Sequence, residues 1–118
     1  MESRQAADAL GALAHEGRLA VFRMLVRAGS GGIAAGEIAR QLGVPPNSLS
    51  ANLMILSRAG LVTSRRAGRS IIYSAEYNRM ATLLGYLVED CCLGSPEICA
   101  PLAAVVARGC CQPASMPS

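Results

Sequence analysis

The chain has 118 residues, 52% of them apolar, with only one Phe and three Tyr. This length suits one domain, and a core of aliphatic side chains favours packed helices over a β-sandwich. Eleven Arg, no Lys and eight acidic residues give a net charge of +3, which matters only where it is concentrated on one surface. Residues 80–88 and 98–107 are apolar runs too short to span a bilayer, and the first residues lack the pattern of a secretory signal. We therefore expect a cytoplasmic protein.

The first third of the chain is predicted to form two helices and a loop. The first helix runs from about Ser3, a candidate N-cap, to Ala14, and the second ends before a glycine-rich loop at residues 28–32. The expected apolar faces are Ala6, Leu10 and Leu13 in the first helix, and Leu19, Phe22, Leu25 and Val26 in the second.

A helix-turn-helix is predicted next, with a short helix over Ala35 to Leu42, a turn at Gly43 and a longer helix from about Pro46 to Ala59. Leucines at helical spacing form the buried side of the longer helix. The buried leucines are Leu49, Leu53 and Leu56, and the outer face holds Asn47, Ala51 and Arg58, flanked by Ser48, Ser50 and Asn52. A small, polar outer face suits entry into the major groove of DNA, although a helical hairpin that only packs is the alternative.

Gly60 closes that unit, and the spacing then becomes strand-like in LVTSRR and SIIYS, which predicts a two-stranded hairpin. Three arginines, Arg65, Arg66 and Arg69, lie around its glycine tip, where they could displace counterions from DNA. A helix-turn-helix followed by such a hairpin, or wing, is a DNA-reading arrangement.

A last long helix is predicted from near Glu76, with a stripe of apolar residues on one side. The stripe consists of Met80, Leu83, Leu84 and Leu87, and its next position is Cys91. Gly94 and Pro96 should end this helix, and a short helix over residues 101–108 should precede a frayed tail. We therefore divide the chain into a domain of residues 1–94 and a cysteine-containing tail of residues 95–118.

Three stretches, ALAHEGRLAVFRML, GEIARQLGVPPNSLSANLMILSRAGLV and RRAGRSIIY, together resemble the ArsR/SmtB family of metal-responsive winged-helix repressors over about residues 7–92. The resemblance implies a mostly α-helical winged helix-turn-helix with a small β-hairpin. It also implies a homodimer joined through its first and last helices, which binds a twofold-symmetric operator and releases it when an inducer binds. Ala51 and Asn52 replace histidines of many members, and Pro45 replaces a Ser N-cap, which leaves the operator sequence open.

The five cysteines indicate the inducer. A reducing cytosol argues against structural disulfides, and His15 is the only histidine, so the available ligands are thiolates, which select soft ions. Cys91, Cys92 and Cys99 can converge only if the helix unwinds at the adjacent pair, and three thiolates without a fourth ligand suit trivalent arsenic or antimony. This set resembles that of the arsenite-responsive ArsR subtype, which has an adjacent Cys pair at the end of the last helix. We predict an arsenite site at these cysteines.

Several alternatives stay open. Cys110 and Cys111 form a second pair, which is either an auxiliary capture site or a bystander. The same fold could serve a thiol-based redox sensor or a cadmium or lead sensor, and adjacent cysteines also suit a soft-metalloid chaperone. Arsenite, antimonite and methylarsenite are not distinguished. An enzyme is not expected, because the sequence has no Cys-based anion loop, no nucleotide-binding glycine loop and no Ser/His/Asp set.

Overall fold

A computed structural model describes residues 1–88 together with Pro101 and Ala104. Its helices are α1 (Ser3–Leu13), α2 (Glu16–Ala28), α3 (Ala35–Leu42), α4 (Pro46–Arg58) and α5 (Tyr77–Val88), and its strands are β1 (Ile33–Ala34), β2 (Val62–Ala67) and β3 (Ser70–Ala75). One compact unit comprises Met1–Leu83, and a second begins at Leu84. The predicted mostly α-helical winged helix-turn-helix is confirmed.

The sheet contains one strand more than the sequence predicted. The hairpin of β2 and β3 is confirmed, but β1 pairs antiparallel with β3 and gives the strand order β1-β3-β2. This short strand depends on Gly32, which has φ +75° and lies so close to β3 that a Cβ there would be 2.4 Å from the carbonyl oxygen of Tyr73. Only glycine allows that approach without displacing the strand. Two residues are too few to form a recognisable strand pattern, so β1 could not be predicted from the sequence.

Helix α1 begins one residue earlier than predicted. Its N-cap is Glu2 and not Ser3, which is the first helical residue. The backbone amide of Glu2 donates to Oε1 of Gln5 at 2.9 Å, as in a capping box in which the third helical residue reaches back to the cap. At the other end of α1, Arg18 donates from Nε to the carbonyl oxygen of Ala12 at 2.5 Å, which satisfies a free carbonyl group and joins α1 to α2.

The apolar faces of the first two helices differ from the predicted ones. Helix α1 buries alanines, of which Ala6 was predicted, whereas α2 buries the predicted Phe22 and Leu25 together with Val21 instead of Leu19. The buried residues are Ala6, Ala9 and Ala12 in α1, and Val21, Phe22 and Leu25 in α2. Leu10 and Leu19 are 41% and 43% exposed. In α1, the small alanine face lets the backbone approach the core closely and leaves Leu10 outside.

The helix-turn-helix was predicted almost residue by residue. Helix α3 has the predicted bounds, and Gly43 follows it in the left-handed conformation, with φ +65° and ψ +35°. Helix α4 ends at Arg58, with Ala59 as its C-cap. Its three leucines pack into a core with Leu25, Ile38 and Leu61, each fully buried.

Helix α5 starts at Tyr77, one residue after the predicted start near Glu76. The hydroxyl of Tyr77 donates to the carbonyl oxygen of Val26 at 2.8 Å and so ties this start to the end of α2. Leu83 is buried, whereas Leu84 and Leu87 are exposed. No helix in the described part of the chain is long and apolar enough to cross a bilayer. Pro101 and Ala104 are helical, but the rest of the predicted short helix and the boundary at residue 94 lie outside the described residues.

Candidate nucleic-acid interface

The outer face of α4 is the side opposite its buried leucines. Leu49, Leu53 and Leu56 are 2%, 2% and 0% exposed, so the helix is fixed in its rotation about its own axis. Pro46 occupies the first helical turn, where its missing N–H costs nothing. The predicted residues that lie exposed on α4 are Asn47, Ser48, Ser50, Ala51 and Arg58. The start of the helix therefore presents short polar side chains to solvent.

Asn52 differs from the other predicted contact residues because it is half-buried beside the start of α2. A Cβ placed on Gly17 would lie 3.4 Å from Nδ2 of Asn52 and 3.3 Å from Nδ1 of His15. His15 is the N-cap of α2, and its Nδ1 accepts the backbone amides of Gly17 at 3.1 Å and Arg18 at 3.3 Å. His15 is therefore a helix-end residue, and Asn52 lies where α4 meets the start of α2.

Sequence reasoning missed Met54, which is 53% exposed on α4. Positions 47, 51, 54 and 58 are separated by four, three and four residues, so Met54 shares a face with Asn47, Ala51 and Arg58. Ile55 beside it is 39% exposed. A methionine in a helical pattern is usually assigned to the core, and only its angle relative to the three leucines signals the outer face.

The three arginines of the wing do not all lie at its tip. Arg66 pairs with Ile71 across the hairpin, and Arg69 follows Gly68, which turns the chain with φ +64°. Both arginines are exposed near the tip. Arg65 points to the opposite face of the strand, because successive side chains alternate, and its Nη2 donates to the carbonyl oxygen of Gly31 at 3.0 Å. There it lines a cavity of about 370 Å³ together with Ser74 and Glu76.

Helix α3 carries a compensated charge pair on its surface. Arg40 forms an ion pair with Glu37, and Nε2 of Gln41 donates to the same carboxylate at 2.7 Å. The hydrogen bonds from Arg40 and Gln41 stabilise the ionised carboxylate and lower the pKa of Glu37 from 4.5 to about 2. Glu37 therefore stays charged at every pH at which DNA binding is measured, and it offsets the charge of Arg40.

The predicted metal ligands cannot be placed on this framework. Cys91, Cys92, Cys99, Cys110 and Cys111 all lie outside the described residues. Within residues 1–88, 101 and 104, no group of three or more His, Cys, Asp or Glu side chains could hold a metal ion. The arsenite site therefore stays a prediction from the sequence.

The fold and the outer face of α4 define a winged-helix DNA-binding regulator, and comparisons with known proteins agree. A family described as a helix-turn-helix domain matches residues 13–65. The transcriptional regulator YgaV of Escherichia coli is 32% identical over 90 residues, which are 76% of this chain and 89% of YgaV. The regulator NmtR of Mycobacterium tuberculosis is 36% identical over 80 residues, 68% of this chain and 64% of NmtR.

Solved structures give the same result. An ArsR-like regulator from Rhodococcus sp. RHA1 superposes with a TM-score of 0.65 at 27% identity, over 86% of this chain and 90% of that one. The homodimeric winged helix-turn-helix domain of Mb0332 from Mycobacterium bovis, a possible ArsR-family regulator, gives 0.59 at 30% identity, over 74% and 81%. A possible transcriptional regulator for arsenical resistance gives 0.60 at 28% identity, over 68% and 80%. The chain belongs to the ArsR/SmtB family of winged-helix transcriptional regulators and is not an enzyme.

Proposed function

We propose that this protein is an arsenic-responsive repressor, whose dimer binds operator DNA and loses affinity for it when trivalent arsenic binds Cys91, Cys92 and Cys99. The observation that carries the proposal is the presence, in one small chain, of a DNA-reading helix face and three closely spaced cysteines. The first supports operator binding and the second supports the choice of inducer.

Operator binding is proposed to divide between α4 and the wing. The exposed start of α4 enters the major groove, where Asn47 and Ser48 reach base edges. Arg66 and Arg69 at the wing tip contact phosphates and supply affinity that does not depend on sequence. Asn52 lies against α2 and Arg65 donates to Gly31, so both are proposed to contribute less to DNA binding than the sequence predicted.

A homodimer is supported by apolar side chains that the two predicted dimer helices leave in solvent. Leu10 of α1 is 41% exposed, and Leu84 and Leu87 of α5 are 45% and 48% exposed. Such leucines commonly mark protein interfaces, and the similar Mb0332 domain is a homodimer. Sedimentation should show a dimer at micromolar concentration without inducer, and a stable monomer would contradict the proposal.

Three thiolates suit trivalent arsenic because its lone pair fills the fourth direction of a pyramidal site. Arsenous acid would exchange its three hydroxyl groups for three cysteine sulfurs, and three water molecules would leave with the thiol protons. The assignment to Cys91, Cys92 and Cys99 rests on the sequence and on the family resemblance. One solved structure to which the chain is similar is described as a possible transcriptional regulator for arsenical resistance, which agrees with this choice of inducer.

The start of α5 is tied to the end of α4, and this supports a route from inducer to DNA. The backbone amide of Glu76 donates to the carbonyl oxygen of Leu61 at 2.8 Å, and Nε of Arg79 donates to that of Ala59 at 3.4 Å. A displacement of α5 would therefore shift α4 as well. Coupling of about 1–3 kcal/mol between inducer and operator suffices for release, and operator must weaken arsenite binding equally.

The direct test titrates the protein–operator complex with arsenite, antimonite, methylarsenite, zinc, cadmium, lead and an oxidant. Arsenite and antimonite should release the operator, whereas zinc should not, because zinc takes four ligands in a tetrahedron and the proposed site supplies three. If only cadmium or lead releases the operator, that ion is the inducer instead of arsenic. If only an oxidant releases it, and a thiol reductant reverses the release, the protein is a redox sensor. Arsenite binding without any DNA binding would instead indicate a metalloid chaperone.

A further inference from the structure

Two apolar side chains interrupt the otherwise polar outer face of α4. Met54 is 53% exposed, more than any other large hydrophobic residue of the described part of the chain, and Ala51 lies one turn before it on the same face. The polar residues Asn47 and Arg58 lie on this face before and after them. The core therefore does not explain why an apolar residue as large as Met54 is on this side of the helix.

The C5 methyl of thymine is the one apolar substituent among the groups that distinguish the base pairs in the major groove, and the other distinguishing groups are hydrogen-bond donors or acceptors. Alanine and other apolar side chains discriminate thymine by contact with this methyl group. Met54 suits such a contact because its unbranched thioether chain is flexible and polarisable, so it can adapt its shape to the position of the methyl group in the groove.

We propose that Ala51 and Met54 are specificity-determining residues, which recognise thymine in each operator half-site through its methyl group. The inference rests on the DNA-binding half of the proposed function and is independent of the inducer. It assigns three kinds of recognition to one helix face, with Asn47 as a hydrogen-bonding reader, Ala51 and Met54 as methyl readers, and Arg58 as a cation at the far end.

The experiment first selects binding sites for the full-length protein from a pool of random DNA duplexes. Each thymine of the selected site is then replaced by deoxyuridine, which removes only the methyl group, and Kd is measured by fluorescence anisotropy at fixed salt. At one or two thymines per half-site, this replacement should weaken binding about fourfold, the factor expected for one buried methyl group.

Variants then assign each methyl group to a side chain. At the thymine that Met54 contacts, Met54→Gln should bind the thymine and deoxyuridine duplexes with equal affinity. Ala51→Ser should show the same loss of discrimination at a neighbouring thymine. Met54→Leu, which stays apolar, should keep the penalty. Leu19→Gln is the matched control, because Leu19 is 43% exposed but lies on α2, and this variant should keep the parental penalty at every thymine.

Each other outcome contradicts the inference in a recognisable way. If deoxyuridine costs nothing at any position, if the selected half-sites contain no thymine, or if Met54→Gln and Ala51→Ser keep the parental penalties, operator binding stands and the methyl contacts do not. If Met54→Gln alters only the sedimentation of the free protein, Met54 belongs to a protein interface instead. If no sequence is selected at all, the proposed function fails together with the inference.

Discussion

Arg79 occupies the space beside Gly60 at the point where α4 ends. Its Nε donates to the carbonyl oxygen of Ala59 at 3.4 Å, and a Cβ added to Gly60 would lie only 2.8 Å from the same nitrogen. Gly60 has φ +78°, a conformation that residues with side chains rarely adopt. An arginine of α5 therefore closes the C-terminus of α4, and a glycine makes room for it.

A double-mutant cycle should measure this contact. Arg79→Ala should lower the free energy of unfolding by about 1 kcal/mol, since it removes one partly exposed hydrogen bond. Gly60→Ala should cost about 1–2 kcal/mol because of the positive φ and the collision with Arg79. The double variant should cost less than the sum, because the collision is gone, and urea unfolding of all four proteins measures the difference. Strict additivity would show that the two residues do not interact.

Gly32 and Gly36 form a matched pair of glycine positions. Gly32→Ala should destabilise the protein by more than about 2 kcal/mol, since its Cβ would collide with β3 and its φ is +75°. Gly36 lies within α3, where a Cβ meets no heavy atom of the described structure within 4 Å, so Gly36→Ala should stabilise by about 0.5–1 kcal/mol. Thermal unfolding distinguishes the two, and equal effects would contradict the close approach of β1 to β3.

The sequence predicted the helix-turn-helix well because its signals are local. Leu49, Leu53 and Leu56 repeat at helical spacing, and Gly43 marks the turn. Strand β1 and the roles of Arg65 and Asn52 could not be predicted, since each depends on a residue distant in the chain, such as Gly31 for Arg65. Leu10 was misassigned for a related reason, because spacing identifies an apolar face but does not show that the alanines of α1 are the ones that pack.

Glu37 should influence both stability and DNA binding through Arg40. Its pKa is lowered to about 2, so the stabilisation it provides is present above about pH 4.5 and is lost as the pH falls towards 2. Glu37→Gln should therefore flatten the loss of stability over that range. At neutral pH it leaves the charge of Arg40 uncompensated on α3, the helix that crosses the DNA backbone in this class of proteins.

The DNA readout is the dependence of Kd on salt. Glu37→Gln should tighten binding at low salt and steepen the slope of log Kd against log salt by up to about one unit. Glu16→Gln makes the same charge change on α2 and should have a smaller effect. If both variants shift the slope equally, α3 does not approach the phosphates.

The three wing arginines should differ in their effect on the salt dependence of Kd. Arg66→Ala and Arg69→Ala should each weaken binding to operator and to random DNA alike and flatten the salt slope by about one unit. Arg65→Ala should leave the slope nearly unchanged and lower stability by about 0.5–1 kcal/mol, since it removes the bond to Gly31. If Arg65→Ala flattens the dependence of Kd on salt and Arg66→Ala and Arg69→Ala do not, then Arg65 is the arginine that contacts phosphates.

Arsenite-induced release of the operator from single cysteine variants tests most directly whether Cys91, Cys92 and Cys99 bind the inducer. Cys91→Ser, Cys92→Ser and Cys99→Ser should bind operator with the parental Kd in the absence of arsenite but release it poorly or not at all. The paired variant Cys110→Ser/Cys111→Ser is the control and should release operator near the parental arsenite concentration. The proposal is contradicted if Cys91→Ser and Cys99→Ser release operator at the same arsenite concentration as the parent protein. It is also contradicted if only the Cys110→Ser/Cys111→Ser variant fails to release it.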